Sequence, residues 1–309
     1  MKQGRDPKGG RSLATEQTPS YIQRLSRCIR SIRTLLDTHT DYTYIYLPRN
    51  DIQHQSLNTS EQMARTVRLG VIVPSSNTAL EPLTSSIISS IQDPNLEITV
   101  HYSRFRVTTI SLSDDANVQF QLDPMLSAAH LLADAEVDVI GWSGTSSGWL
   151  GFEKDETLCK AIQDATGIPA TSSILALNEL LGETHAQRLG LVTPYVKNVN
   201  DAIRKNYTNL GYEITDQRER HLGRTKNTEF GLVTESQIGD MVAHVAGDGA
   251  DVVTVYCTNL RGARAATEWE REHGIIVLDS VATTVWGMLR KVNVQPSVVQ
   301  GWGSIFEIV

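Results

Sequence analysis

Cysteine is scarce in this sequence of 309 residues and occurs only at Cys28, Cys159 and Cys257. The three residues are widely spaced and odd in number, and none stands in a CxxC pair or beside histidines that could complete a metal site. We therefore expect no disulfide framework and no bound metal, and a reducing compartment such as the cytoplasm fits best. The sequence also lacks any apolar run near the roughly 18–20 residues that a membrane-spanning helix needs.

Positive charge is in deficit as well, with 28 Lys and Arg against 35 Asp and Glu, and a formal net charge of −7. Phosphates repel a chain of this charge, so we expect no nucleic acid and no membrane surface as a partner. Two glycine motifs are also missing, because no GxGxxG follows the first predicted strand and no GxxxxGK[ST] occurs. Nucleotide binding is therefore disfavoured, and a small-molecule site remains open.

Residues 1–66 differ in composition from the rest, being rich in Gln, Ser, Thr, Arg and Asn. Four arginines recur there at helical spacing, as in a mitochondrial transit peptide, whereas Asp6, Glu16 and Asp37 are foreign to such a peptide. We interpret this segment as a poorly ordered extension with a short amphipathic helix, and a mitochondrial location as the alternative to a cytoplasmic one.

Two parts of the remaining chain repeat each other. RLGVIVP at residues 68–74 returns as RLGLVTP at residues 188–194, and DVIGWSG at 138–144 returns as DVVTVYC at 251–257. The first pair is offset by 120 residues, from 68 to 188, which suits one ordinary α/β unit. The sequence therefore predicts two related lobes.

Short β-branched runs alternate with helical patterns from residue 67 onward, which favours parallel sheets because a parallel return needs a crossover. We predict an α/β fold of two Rossmann-like lobes related by a pseudo-twofold axis, with the active site in the cleft between them. Lobe one is assigned residues 67–182, with a C-terminal helix at 283–309 packing back on it, and lobe two residues 183–282. The predicted strands are 71–73, 96–102, 137–142, 189–192, 212–215, 252–256 and 275–278, with helices at 124–134 and 152–166 and another that ends at residue 88.

Ligands of parallel sheets bind beyond the carboxyl ends of the strands, and here those ends carry uncharged polar residues. GTS at residues 144–146 offers hydroxyls and backbone N–H groups that could hold a carboxylate, or could simply cap the next helix. Its counterpart in the repeat is CTN at residues 257–259. One wall of the cleft therefore offers the thiol of Cys257, and the opposite wall offers only Gly144.

Several of these residues have a second, purely structural interpretation. A cysteine at the end of a buried strand is often a small core residue, but a strand-end position at an α/β cleft favours an acid or base at Cys257. Tyr195 either donates a hydrogen bond into the cleft or packs beneath a loop, and Asn77 either binds substrate or caps a helix. Cys159 and Cys28 are interpreted as structural.

The residues from 67 to the C-terminus resemble the Asp/Glu racemase superfamily, in particular the branch of maleate cis–trans isomerase and arylmalonate decarboxylase. The stretches that carry the resemblance are RLGVIVPSSN at 68–77, GTSSGW at 144–149, LVTPYVKNVN at 191–200 and YCTNLRG at 256–262. Racemases and maleate isomerases of this kind use two opposed cysteines. Here Cys257 matches the second, and Gly144 stands where the first would be, as in arylmalonate decarboxylase. In contrast, Asn77 and the segment around Asn227 look more like the isomerase.

The resemblance implies an enzyme without a cofactor or metal that acts on a small carboxylate, with a homo-oligomer left open. We expect a decarboxylase of a malonate-like substrate, in which an enediolate is protonated by Cys257 alone; the alternatives are a maleate-type isomerase, an Asp/Glu-type racemase, or a catalytically silent dicarboxylate-binding relative. The catalytic position opposite Cys257 is Gly144, where a restored cysteine is expected to supply a second acid. The expected substrate-binding residues are Pro74, Asn77, Thr145, Ser146, Tyr195, Asn227 and Thr258.

Overall fold

The computed structural model describes residues 64–308. The interpretation of residues 1–66 as an extension, and that of Cys28 as structural, therefore fall outside the described residues, apart from positions 64–66. No helix within residues 64–308 is long and apolar enough to cross a membrane.

Two four-stranded sheets form the framework, and every strand pair in them is parallel. The first sheet has the order β2-β1-β3-β4 and the second the order β6-β5-β7-β8, so the same arrangement occurs twice in chain order. The prediction of two α/β lobes with parallel sheets is confirmed. The strands are β1 Arg65–Pro74, β2 Leu96–Phe105, β3 Val139–Trp142, β4 Ala170–Ser172, β5 Leu189–Thr193, β6 Glu219–His221, β7 Val252–Val255 and β8 Ile276–Asp279.

Helices connect successive strands, as a parallel sheet requires. They are α1 Leu80–Ser89, α2 Asp114–Asn117, α3 Leu122–Ala133, α4 Ser147–Leu150, α5 Glu153–Thr166, α6 Ser173–Thr184, α7 Lys197–Asn209, α8 Asn227–Phe230, α9 Glu235–Gly247, α10 Ala266–His273 and α11 Ser280–Lys291. Short 3-10 turns lie at Val118–Phe120, Ala263–Ala265, Pro296–Val298 and Ser304–Glu307.

The repeated sequence RLG makes the same contacts in both lobes. The backbone N–H of Arg68 donates to Asp138 Oδ2 at 2.6 Å, and that of Arg188 donates to Asp251 Oδ2 at 3.2 Å, so each pair ties the first strand of its lobe to the third. The glycines after them have no room for a side chain. A Cβ on Gly70 would lie 2.9 Å from a methyl group of Val137, and one on Gly190 equally close to Val253.

Helix α11 follows the last strand of the second lobe but packs against the first. Its residue Thr283 donates to the carbonyl of Ser173 at 3.0 Å, and Ser173 donates in return to the carbonyl of Ser280 at 2.8 Å. The N-termini of α6 and α11, each of which directly follows the last strand of its sheet, therefore meet across the two lobes.

One predicted strand is wrong. Residues 212–215 form no strand, and only Glu213 makes an isolated bridge, to Arg188. Gly211 has a φ of +95° and turns the chain at that point, so that the segment pairs with β5 only further on, at Glu219–His221. The sequence at 212–215 has the apolar alternation of a strand, but Tyr212 instead packs edge-on against Tyr207. The other predicted strands are present, with β1 and β2 longer than predicted, and so are the helices predicted before residue 88, at 124–134 and at 152–166. The C-terminal helix predicted at 283–309 is shorter: it begins at Ser280 and ends at Lys291, and Asn293 with a φ of +54° turns the chain into the 3-10 turns that follow.

A buried carboxyl group lies on the inner face of α5. Asp155 is 2 % exposed, and its Oδ2 has no hydrogen-bond partner within residues 64–308. Burial raises the pKa of Asp155 to about 6, and the nearby hydroxyls of Ser172 and Ser147 only partly offset this. Because the folded pKa exceeds the unfolded value, the protonated carboxyl favours folding, and this contribution is lost as the pH rises through about 6.

We expect Asp155→Asn to be more stable than the wild type at pH 8 by about 1–3 kcal/mol, since the neutral amide avoids the buried charge. The difference should vanish below about pH 3, where the carboxyl is largely protonated in both the folded and the unfolded state. Urea unfolding at the two pH values measures this, with the exposed Glu156→Gln on the same helix as control. A gain of equal size at both pH values would contradict the prediction.

Candidate active site

A small cavity lies where the carboxyl ends of β1, β3, β5 and β7 meet. It is lined by Pro74, Val107, Ile110, Phe120, Trp142, Gly144, Thr145, Ser146, Trp149, Tyr195, Asn227, Cys257 and Thr258. Among residues 64–308, no charged side chain lines this cavity. We call it the thiol pocket, because the one cysteine on its wall is Cys257.

Cys257 lies two residues beyond the end of β7 and is 3 % exposed. The backbone N–H of Asn259 donates to its Sγ at 3.4 Å. Burial raises the pKa of the Cys257 thiol to about 11, and hydrogen bonding from Tyr195 and the Asn259 N–H opposes this rise without cancelling it. The thiol is therefore neutral at pH 7, which is the state of a proton donor.

Tyr195 reaches the thiol pocket from the end of β5. Its hydroxyl shares a hydrogen bond of 2.7 Å with Thr145 Oγ1, which comes from the opposite lobe. Burial, and next the proximity of Cys257, raise the pKa of Tyr195 well above its usual value, so the phenol keeps its proton. The ring is fixed by edge-on contacts with Trp149 and Phe230, at centroid distances of 5.4 and 5.6 Å. Thr145 and Tyr195 together place two hydroxyl groups on one side of the pocket.

Two buried tryptophans complete the wall. Trp142 packs against Phe105 at 5.2 Å between ring centroids, and Trp149 packs against Phe120 at 6.0 Å. Neither indole N–H has a hydrogen-bond partner within the described part of the chain. An unpaired buried donor costs about 1–3 kcal/mol, so an acceptor on a bound ligand would be stabilised by either N–H that it can reach.

The space beside Gly144 is occupied by an aromatic ring. A Cβ built on Gly144 would lie 2.0 Å from Cζ2 of Trp142, far inside any allowed contact. Gly144 stands where the racemases and maleate isomerases have their first cysteine, and the indole of Trp142 fills the space that such a side chain would need. A cysteine introduced at Gly144 must first displace Trp142, a condition that the sequence alone did not reveal.

Three asparagines connect the lobes behind the thiol. Asn259 Oδ1 accepts from the N–H groups of Thr78 and Ala79 at 3.0 and 3.1 Å, and its Nδ2 donates to the carbonyl of Asn227 at 2.7 Å. Asn77 Nδ2 donates to Thr258 Oγ1 at 3.2 Å. The loop that carries Cys257 is therefore bonded to the start of α1 in the other lobe.

All of the predicted site residues except Asn77 line the thiol pocket. Asn77 lies behind its wall and donates a hydrogen bond to Thr258, which does line it. Their roles in binding and catalysis stay predictions. The sequence reasoning missed Val107, Ile110 and Phe120, which belong to the segment after β2. The rule that ligands bind at carboxyl strand ends applies to β2 as well, and could have found them. Cys159 lies away from the pocket on α5, where burial raises the pKa of its thiol.

The thiol pocket is small, with a cavity volume of about 20 Å³. This is room for about one water molecule. Entry of a substrate therefore requires side chains around the pocket to move.

Two parallel sheets whose strand ends share one pocket with a single buried thiol define a two-lobed α/β protein built like the Asp/Glu racemases. A sequence profile of the family described as arylmalonate decarboxylase matches residues 94–306. The chain belongs to this family, and the resemblance inferred from its motifs is confirmed.

The chain is similar to known proteins over both lobes. It is 27% identical to maleate isomerase from Pseudomonas putida over 253 residues, and this alignment covers 79% of this chain and 98% of that protein. It is 25% identical over 189 residues to arylmalonate decarboxylase from Bordetella bronchiseptica, covering 60% and 78% of the two chains. The structure of a Cys-to-Ser variant of Nocardia farcinica maleate cis-trans isomerase, with a covalently bound succinylcysteine intermediate, is similar with a TM-score of 0.67, 25% identity and coverage of 78% and 98%. These relatives are enzymes of isomerase or decarboxylase type.

We expect Asn259→Ala to destabilise the protein by about 2–4 kcal/mol, because it removes the hydrogen bonds of the buried amide to the N–H groups of Thr78 and Ala79 and to the carbonyl of Asn227. Unfolding in urea measures the change, and Asn209→Ala at the exposed end of α7 should stay within about 0.5 kcal/mol of the wild type. An equally small effect of Asn259→Ala would show that the amide does not hold the lobes.

Proposed function

We propose that the protein is a cofactor-independent decarboxylase of a small malonate-like dicarboxylate. The observation that carries this proposal is the pairing of one neutral buried thiol, Cys257, with an indole at the position opposite. Among the residues that line the thiol pocket, Cys257 is the one thiol, and the opposite wall offers no thiol, carboxyl, imidazole or amine as a second acid or base. Decarboxylation followed by protonation needs only one, whereas racemisation needs two.

One substrate carboxylate is retained and bound by uncharged donors. The hydroxyls of Thr145, Ser146, Tyr195 and Thr258 line the pocket and can donate to its oxygens. The other carboxylate lies against the aromatic wall of Trp142 and Trp149. There the desolvated charge favours departure as neutral CO₂.

The chemical step breaks one carbon–carbon bond. Its electron pair remains on the retained fragment, which becomes an enediolate as CO₂ leaves. Donors aimed at the enediolate oxygens act most strongly when the charge there is greatest, and loss of one such donor typically costs about 100- to 1,000-fold in rate. Cys257 then transfers its S–H proton to the α-carbon, and the thiolate regains a proton from water.

Protonation from one side has a stereochemical consequence. Because Trp142 covers the wall opposite Cys257, the proton reaches the α-carbon from a single face. A substrate with two different substituents would then yield one product enantiomer.

The second candidate is a maleate-type cis–trans isomerase, which is favoured by the similarity to the Pseudomonas putida enzyme and by Asn77 and Asn227. In that reaction Cys257 would have to act alone, as a thiolate that adds to the double bond. Its raised pKa opposes this role, since little thiolate is present at pH 7. An Asp/Glu-type racemase needs a second acid or base, which the wall opposite Cys257 does not supply. A silent dicarboxylate-binding relative would catalyse none of these reactions.

Incubation with methylmalonate, phenylmalonate, maleate and aspartate in deuterated buffer, followed by NMR, separates the candidates. We expect CO₂ loss and one deuterium at the α-carbon of the product from a malonate. Fumarate from maleate would instead indicate the isomerase, and deuterium exchange into aspartate the racemase.

Cys257→Ser should lower turnover by about 1,000-fold or more, because a hydroxyl is a far weaker acid than a thiol. Cys159→Ser removes the other described cysteine and should leave turnover within about twofold. The same NMR assay provides both rates. Unchanged turnover in Cys257→Ser would exclude the single-acid mechanism.

The pH dependence of kcat/KM distinguishes an acid from a nucleophile. With a thiol pKa of about 11, the protonated form persists from pH 7 to 9, so kcat/KM for decarboxylation should be flat there with respect to this group and fall above pH 11. A nucleophilic thiolate would instead give a rise of about tenfold per pH unit over the same range. Cys159→Ser should reproduce the wild-type profile.

A further inference from the structure

A second cavity lies next to the thiol pocket and is far larger. It has a volume of about 440 Å³, against about 20 Å³ for the thiol pocket, and we call it the side cavity. Its apolar lining comes from α3, α4 and α5 and includes Met125, Leu150 and Leu158. Because it shares lining residues with the thiol pocket, it is an adjoining space large enough for an aromatic substituent of a substrate held at Cys257.

Three residues line both cavities: Phe120, Trp142 and Ser146. Trp142 is the largest of them, is 1 % exposed, and is fixed by its contact with Phe105 and by its position over Gly144. Its indole is thus the largest side chain in the wall that the thiol pocket and the side cavity share.

We propose that Trp142 determines the substrate size of this enzyme. The indole closes the side cavity off from the reacting carbon, so that substrates with small alkyl substituents are accepted and those with aryl substituents are excluded. This inference rests on the proposed function and narrows its substrate to small, non-aromatic dicarboxylates. Gly144 is needed for this arrangement, because any side chain at that position would collide with the indole ring of Trp142.

Substrate selectivity tests the inference directly. The rates of CO₂ release from methylmalonate and phenylmalonate are measured for the wild type, Trp142→Ala and Trp142→Leu. The wild type should prefer methylmalonate. Truncation of Trp142 should raise the ratio of kcat/KM for phenylmalonate to that for methylmalonate by about tenfold or more, because the space that the indole leaves can hold the phenyl ring and pack against it.

Trp286→Leu is the matched control, since Trp286 is equally buried but lies in α11 and lines neither cavity. It should lower stability as a lost core ring does and leave the selectivity ratio unchanged. A wild type that prefers phenylmalonate, or a folded Trp142 variant whose ratio stays within twofold of the wild type, would overturn the inference.

Binding separates this inference from the proposed function. If no malonate is decarboxylated, the proposed function fails, and the affinities for the same two malonates are compared by calorimetry. Tighter binding of phenylmalonate to Trp142→Leu than to the wild type would still support a size-limiting indole. Equal affinities in both proteins, or no binding to either, would refute it.

A stability cycle tests the contact with Gly144 without any ligand. Gly144→Ala should lower the melting temperature by about 5 °C in the wild type, because the added methyl group overlaps the indole. The same change in the Trp142→Leu background should cost much less. Equal losses in both backgrounds would mean that the ring does not occupy the space beside Gly144, and the inference would fall with it.

Discussion

The side-chain amide of Asn259 holds the two lobes together directly behind the thiol, and the geometry of the pocket depends on this contact. Its oxygen accepts from two N–H groups at the start of α1, and its nitrogen donates to Asn227. One planar amide can satisfy both segments only if they stand at a fixed separation. The backbone N–H of the same residue donates to Cys257 Sγ. Asn259 therefore both joins the two lobes and positions the thiol.

Burial determines the chemical character of the site. Removing Cys257 from water disfavours its thiolate, and the uncharged donors around it are too weak to reverse this. A charged residue in the same place would need a partner or a large desolvation cost. Hydroxyl groups such as those of Thr145 and Tyr195 avoid that cost and still bond to an anion. A neutral thiol beside neutral donors therefore fits the proposed formation and protonation of a carbanion.

In the wall opposite the thiol, the residue at one position constrains the residue at another. Gly144 leaves space where a side chain would stand, and Trp142 fills it from two residues earlier on the same strand end. The indole then packs on Phe105 and separates the thiol pocket from the side cavity. The glycine at one position and the ring at the other thus belong to the same close-packed wall.

The local pattern of the sequence was sufficient for the architecture. Repeated motifs and continuous apolar runs predicted the two lobes and their parallel sheets, because strand burial and crossover rules act through short segments. The strand-end rule also placed Cys257, Thr145 and Tyr195 at one pocket. The apolar pattern misled at residues 212–215, where the chain follows the positive φ of Gly211 and only Glu213 bridges to Arg188, without forming a strand.

Other properties were decided by tertiary structure alone. The ring of Trp142 over Gly144, the bonds of Asn259 to α1 and the entry of Val107, Ile110 and Phe120 into the pocket join residues that are distant in sequence or depend on a rotamer. The sequence by itself determined the two related α/β lobes, the polar strand ends and the thiol at one of them, since these follow from local hydrophobic pattern and residue identity. Pocket volume and the pKa of Cys257 depend on which side chains close over the site, and this is set only when the two lobes pack.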